Sequence, residues 1–133
     1  MLETLQVNTP KRSATVDVTD LISRKIQESG IKSGLCLLHV PHTTAAIIVN
    51  EGADPAVMED VIKALDKLVP WGAGYQHSEG NAAAHIKAIL AGGRTFLIID
   101  EGRLVLGTWE RVFFCEFDGP RTRKICMKII ENR

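Results

Sequence analysis

From Arg94 onward the chain reads as one strand after another, and this stretch limits the fold more than any other. Thr95 to Ile99, Arg103 to Leu106, Trp109 to Phe117 and Thr122 to Ile130 are separated by turn-forming groups, among them Asp100-Glu101-Gly102 and Asp118-Gly119-Pro120. The order predicts an antiparallel meander. In the last strand Ile125, Met127 and Ile129 alternate with Lys124 and Lys128, so one face is buried and the other wet. Phe113, Phe114 and Phe117 make the preceding strand apolar on both faces, which calls for a central position or cover at a subunit contact.

The earlier part of the chain mixes strands with helices. Leu2 to Val7 and Ala14 to Val18, on either side of Pro10-Lys11-Arg12, keep the strand period and predict a hairpin. Thr19-Asp20 caps a helix with Leu21, Ile22 and Ile26 on its inner stripe and Ser29-Gly30 at its end. Gly34 to Val40 is an apolar run that reads as a buried strand closed by Pro41, and Ala45 to Asn50 reads as another. Alternation puts His42 on the face of Val40, Leu38 and Cys36, and His39 on the opposite face with Leu37 and Leu35, so only one of the two easily lines a given pocket. Asp54-Pro55 opens a helix whose stripe of Val57, Met58, Val61, Ile62, Leu65 and Leu68 belongs mostly to the core. A loop with Trp71 packed on the domain leads to a short helix from Asn81 to Ala91, ended by Gly92-Gly93. The expected architecture is α+β, a mostly antiparallel sheet or sandwich with about three helices, in a single domain over 1–133.

Composition removes several classes of function. The 16 basic and 16 acidic residues cancel without forming a like-charged block, which argues against nucleic acid and anionic lipid as partners. No window approaches the roughly 18 apolar residues of a membrane span, and no basic leader precedes an apolar run, so a soluble cytoplasmic protein is expected. Cys36, Cys115 and Cys126 lie far apart in apolar runs and read as reduced thiols, not as a disulfide framework or a thiolate zinc site, which has Cys-x-x-Cys spacing.

Chemistry concentrates at the junctions of elements. On a helix beginning near Asn81, His85 follows by four residues and shares the first-turn face, with His77 just before the entrance. The free N–H groups and positive dipole end there suit an anion, a metal ion, or a metal holding an anion. His42, His77 and His85 together suit a divalent metal such as zinc with one open position, although the His-Glu-x-x-His pattern is missing. Glu51 is placed as a general base or as the partner of a ligand imidazole, against the plainer reading of a solvated strand end. Thr43 and Thr44 offer hydroxyls and amides to phosphate oxygens, and Arg121 offers a bidentate grip that Asp118 orients; the plainer readings are a strand start and a turn salt bridge. Gly107-Thr108-Trp109 lets a backbone approach a ligand or accommodates a bulge.

Pro41-His-Thr-Thr-Ala-Ala46, Asn50-Glu51, His77-Ser-Glu-Gly-Asn81, Ala84-His85-Ile86, Leu106-Gly-Thr-Trp109 and Asp118-Gly-Pro-Arg121 occur in one order, and in this order the chain closely resembles the YjbQ family. That family is also named for secondary thiamine-phosphate synthases. The resemblance covers nearly the whole chain and implies a homotrimer with a polar, metal-binding pocket near His42, His77 and His85, with Glu51, Asn81, Asp118 and Arg121 as neighbours. It further implies the joining of a hydroxymethylpyrimidine diphosphate to a thiazole phosphate. A metal-assisted hydrolase or phosphoryl-transfer enzyme on another small phosphorylated metabolite, and a non-catalytic metal- or metabolite-binding trimer, are the alternatives. Glu110 departs from the family, which usually has glutamine there.

Overall fold

A computed structural model describes residues 2–132; positions 1 and 133 of the expected domain lie outside the described residues. In chain order the elements are β1 (Leu2–Asn8), β2 (Ala14–Asp17), α1 (Thr19–Ser29), β3 (Gly34–His39), β4 (Ala45–Glu51), α2 (Pro55–Leu68), α3 (Ala82–Ala91), β5 (Arg94–Asp100), β6 (Arg103–Leu104), β7 (Glu110–Glu116) and β8 (Thr122–Glu131). The strands form a larger sheet in the order β1-β8-β3-β5-β6 and a smaller one in the order β2-β7-β4. Every strand pair is antiparallel.

The α+β sandwich follows from two-residue periodicity. Leu5 and Val7, Cys36 and Leu38, Leu97 and Ile99, and Ile125 and Met127 point inward from the larger sheet and meet Ala45, Ile47, Val112 and Phe114 of the smaller, with Ile22 and Ile26 of α1 in the same core. The other face of the smaller sheet, carrying Ala46, Cys115 and Phe117, packs against Ala84 and Ala88 of α3 with Ile62, Leu65 and Trp71 around them. β7 is therefore the central strand of its sheet and is covered on both sides, as its phenylalanines require. No helix among the described residues is long and apolar enough to cross a membrane.

Three expectations are corrected. β1 and β2 do not form a hairpin: β1 pairs with β8 and β2 with β7, so the Pro10–Arg12 break carries the chain from one sheet to the other. The C-terminal meander is also divided, because β7, apolar on both faces, enters the smaller sheet while β8 inserts between β1 and β3. Finally, α2 buries only Met58 fully; Val57, Val61, Ile62 and Leu65 are half-buried and Leu68 is 75% exposed. The helix stands off the smaller sheet and leaves a cleft of about 590 Å³ over Phe113.

The three cysteines are free; burial pushes the Cys36 thiol up to about 11 and the Cys115 thiol to about 12, so neither is a nucleophile at neutral pH.

At the rim of the core Glu116 and Arg123, 0% and 5% exposed, form a buried ion pair. Arg123 Nε donates to Glu116 Oε1 (2.8 Å) and its Nη2 to Thr44 Oγ1 (2.8 Å), while the Thr9 hydroxyl donates to Glu116 Oε1 (2.7 Å) and Asp118 N–H to Oε2 (3.0 Å). Burial alone would raise the Glu116 pKa, but the hydrogen bonds from Arg123, Asp118 N–H and Thr9 outweigh it and hold the carboxyl below its ordinary 4.5. Its contribution is complete above that value and is lost as pH falls through the lowered one. Glu116→Gln leaves the guanidinium uncompensated, and urea unfolding at neutral pH should show a loss of about 3–5 kcal/mol. A loss below about 1 kcal/mol would mean that the pair is replaceable by a neutral hydrogen bond.

Candidate functional site

Three segments meet at one corner of the sandwich: the loop after β3, the entrance of α3, and the turn between β7 and β8. α3 is fastened at both ends. At its start Asn81 is buried, and its Nδ2 donates to Asp118 Oδ2 (2.9 Å), while the Asp118 N–H is held by Glu116. At its end Gly92, with φ at +94°, turns the chain so that its carbonyl accepts from Ile47 N–H (3.0 Å) and the Gly93 carbonyl from Val40 N–H (2.8 Å). Gly119 is needed for close approach: a Cβ there would lie 2.5 Å from the Lys11 carbonyl oxygen and 2.9 Å from Thr9 Oγ1. Its bond to Pro120 is cis.

Between α3 and the loop after β3 lies a cleft of about 500 Å³ with His39, His42, Thr43, His85 and Arg94 on its walls. His39 and His42 thus share a cleft, contrary to the alternation argument. The physical reason is that β3 ends at His39, so the period of two does not continue through Val40 and Pro41. His77 stacks edge-to-face on His85 with ring centroids 5.1 Å apart.

The remaining expected residues fall into two groups. Asn81, Asp118 and Arg121 lie together at this corner, but Arg121 folds back on its own turn: Nε donates to the Asp118 carbonyl (2.7 Å) and Nη2 to the Asp118 carboxylate (3.1 Å). Thr43 borders the cleft, whereas the buried Thr44 hydroxyl serves Arg123 and its carbonyl accepts from Phe117 N–H (3.1 Å). Glu51 is not with the histidines. It stands at the far end of β4, roughly 20 Å along the strand from Ala45, and borders the cleft under α2. There its Oε2 accepts from Asp54 N–H (2.9 Å), just as Asp54 Oδ1 caps α2 through Ala56 N–H (3.0 Å). Glu110, the departure from the family, is paired in register with Glu51 and accepts from Gly107 N–H (2.7 Å), so its carboxylate closes a turn away from the histidines.

His42 is the best-defined of the three imidazoles. Lys124 N–H donates to its Nε2 (2.9 Å), which places the proton of the neutral ring on Nδ1. Burial first, then the positive charges of Arg123, Lys124 and Arg121, depress its pKa below the ordinary 6.5, against a smaller opposing effect of Glu116. A metal needs a free lone pair, and His42 has none in this arrangement. His77 and His85 are better placed, since two imidazoles on one tetrahedral zinc at about 2.0–2.1 Å have centroids on the order of 5 Å apart. Among the described residues, however, no group of three or more His, Cys, Asp or Glu side chains is placed to hold a metal ion. The three-histidine set therefore does not fit a single ion as it stands.

Sequence reasoning overlooked Glu116, Arg123 and Arg94. Arg123 had a signal, because it keeps the inward period of Ile125 and Met127 and an inward guanidinium demands a carboxylate. Glu116 likewise ends a strand that is buried from Val112 on.

A two-sheet sandwich with this corner defines a class of small α+β proteins. A crystal structure of a YjbQ/UPF0047-family protein from Clostridium acetobutylicum matches with a TM-score of 0.94 at 44% identity, over 96% of this chain and 99% of that one. A YbjQ-like protein from Sulfolobus solfataricus matches with a TM-score of 0.94 at 35% identity, over 99% and 97% of the two chains. The family model described as UPF0047 protein YjbQ-like covers residues 3–132, and the chain belongs to that family. The UPF0047 protein YugU of Bacillus subtilis is 47% identical over 98% of this chain and 99% of its own length, and a UPF0047 protein of Methanocaldococcus jannaschii is 47% identical over 100% and 96%.

The state of His42 is open to direct measurement. In nitrogen-resolved NMR the ring should titrate below 6.5 and carry its neutral-form proton on Nδ1. A midpoint at or above 6.5, or a proton on Nε2, would restore the ring as a candidate ligand.

Proposed function

We propose that this protein is a small cytoplasmic enzyme that transforms phosphorylated small molecules in the cleft beneath α3. The observation that carries the reading is the convergence of His42 and His85, from segments far apart in the chain, on one concave site whose helix is pinned by the Asn81–Asp118 hydrogen bond. Family resemblance points to the thiamine-phosphate synthase reaction: the thiazole nitrogen bonds to the pyrimidine methylene carbon as diphosphate leaves with the electrons of the broken C–O bond. Such a step depends on positive charge and N–H donors at the departing oxygens. Here the Nδ1–H of a neutral His42, the imidazole of His85 and the guanidinium of Arg94 on the cleft wall are the available groups. Glu51 has no part, since its carboxylate accepts from Asp54 N–H at the far end of β4, away from this cleft. If the protein carries zinc, His77 and His85 are the residues left to hold it. Metal content should then fall in His77→Ala and His85→Ala and stay level in His42→Ala.

The proposed assembly is the homotrimer. The support is one end of the outer face of the larger sheet, where Phe96 and Ile98 are 62% and 55% exposed beside Leu35 and Ile130, with Arg94 at the other end.

The test of activity supplies both phosphorylated precursors to the wild-type protein and to His42→Ala and His85→Ala. Product should form with the wild type and fall about 100-fold in each variant. Product at equal rates in all three would remove the cleft from the chemistry; hydrolysis of single phosphorylated metabolites without joining would mark a hydrolase, and binding without turnover a binding protein. Light scattering should give three times the monomer mass, reduced to the monomer by Phe96→Lys combined with Ile98→Lys; a monomeric wild type would overturn the assembly.

A further inference from the structure

We propose that the cleft between His42 and His85 continues as an anion-binding groove on the outer face of the larger sheet, shaped for a ligand with two anionic groups and anchored by Arg94. The inference rests on the reading of the cleft as a site for phosphorylated molecules and narrows it to a substrate class.

The groove is continuous because of strand register. Next to the cleft lies a depression of about 330 Å³ bordered by Leu2, Leu37, Cys126 and Lys128, and the two share His39 and Arg94 on their walls. Arg94 pairs with His39 on one side of β3, and Cys126 pairs with His39 on the other. Lys128 lies two residues further along β8 on the same face, opposite both Leu37 and Leu2. Two strand spacings and one two-residue step put the Arg94 and Lys128 Cα atoms on the order of 12 Å apart.

The chemistry of the walls selects the ligand. Together they carry three imidazoles, one guanidinium and one ammonium, and no carboxylate. Arg94 and Lys128 take part in none of the ion pairs or side-chain hydrogen bonds found among the described residues, whereas Arg121 is folded onto Asp118. His39 adds a buried Nδ1 without a partner. Unpaired positive charge on one concave surface recruits anions, and a guanidinium binds a phosphate group in bidentate fashion. Between the two cations Leu37 and Cys126 offer an apolar surface, so the occupant is a small molecule with an apolar, ring-sized body and a phosphate group toward each end.

Calorimetric titration of the full chain with inorganic phosphate and with pentane bisphosphonate tests this. Both probes should bind the wild type, the bisphosphonate more tightly. Arg94→Gln should weaken both about tenfold, the effect of losing one charge-assisted contact. Lys128→Gln should weaken only the bisphosphonate, and Arg24→Gln, on the exposed face of α1, should weaken neither. Failure of either probe to bind the wild type, an unchanged affinity in Arg94→Gln, or an equal loss in Arg24→Gln overturns the groove; an equal effect of Lys128→Gln on both probes overturns its second anion position. The outcome is separate from the enzyme reading. Binding with the expected pattern but no product from any phosphorylated substrate would leave the groove and remove the enzyme, and product with unchanged Arg94→Gln affinity would do the reverse.

Discussion

The buried pair of Glu116 and Arg123 is the constraint on which the functional corner depends. A carboxylate and a guanidinium withdrawn from water are tolerable only if every remaining lone pair and proton finds a partner. Here the partners come from three further parts of the chain: Thr9 after β1, Thr44 before β4, and the Asp118 amide in the β7–β8 turn. Satisfying the pair therefore brings these segments into one arrangement. Asp118, placed in this way, passes the constraint on through Asn81 to the start of α3 and so to His85. α3 is thus tied at its start to the ion pair beneath it and packed along its length through Ala84 and Ala88 against the smaller sheet.

Much of the fold was legible because its signals are local. Asp54-Pro55 and Gly30 mark helix ends by rules that involve a residue and its immediate neighbours, and α2 begins and α1 ends where those rules put them; α1 starts instead from Val18, with no side-chain cap from Thr19 or Asp20. Phe113, Phe114 and Phe117 required a strand covered on both faces, and β7 is one. What periodicity does not contain is the assignment of strands to sheets. Val16 and Val7 both ask for a buried face, but nothing in the alternation says that they belong to different sheets, and hence the hairpin and the meander were misread. The α2 stripe was overestimated for a related reason: a pattern states which side of a helix is apolar, not how closely a neighbour approaches it.

The site was legible as a set of junctions and illegible as a geometry. His42 and His85 border one cleft, His77 stacks on His85, and Asn81, Asp118 and Arg121 are joined by hydrogen bonds around the β7–β8 turn. Glu51 follows the same strand as Thr44, yet a seven-residue strand is enough to take it to the opposite end, where it meets a helix that needs a cap. Arg94 drew no notice because a lone arginine after two glycines has no pattern around it. Its position beside His39 exists only through the pairing of β3 with β5.

The loop that closes the back of the cleft has a second consequence. β4 is an edge strand of the smaller sheet, and its Ala-Ala-Ile-Ile-Val segment is the kind of flat, uncharged edge on which other chains add strands. The Gly92 carbonyl occupies the outer amide of Ile47 and so blocks that edge at its middle. Any change that loosens the end of α3 would uncover this edge and open the cleft together, because the Gly92 and Gly93 carbonyls hold both closed.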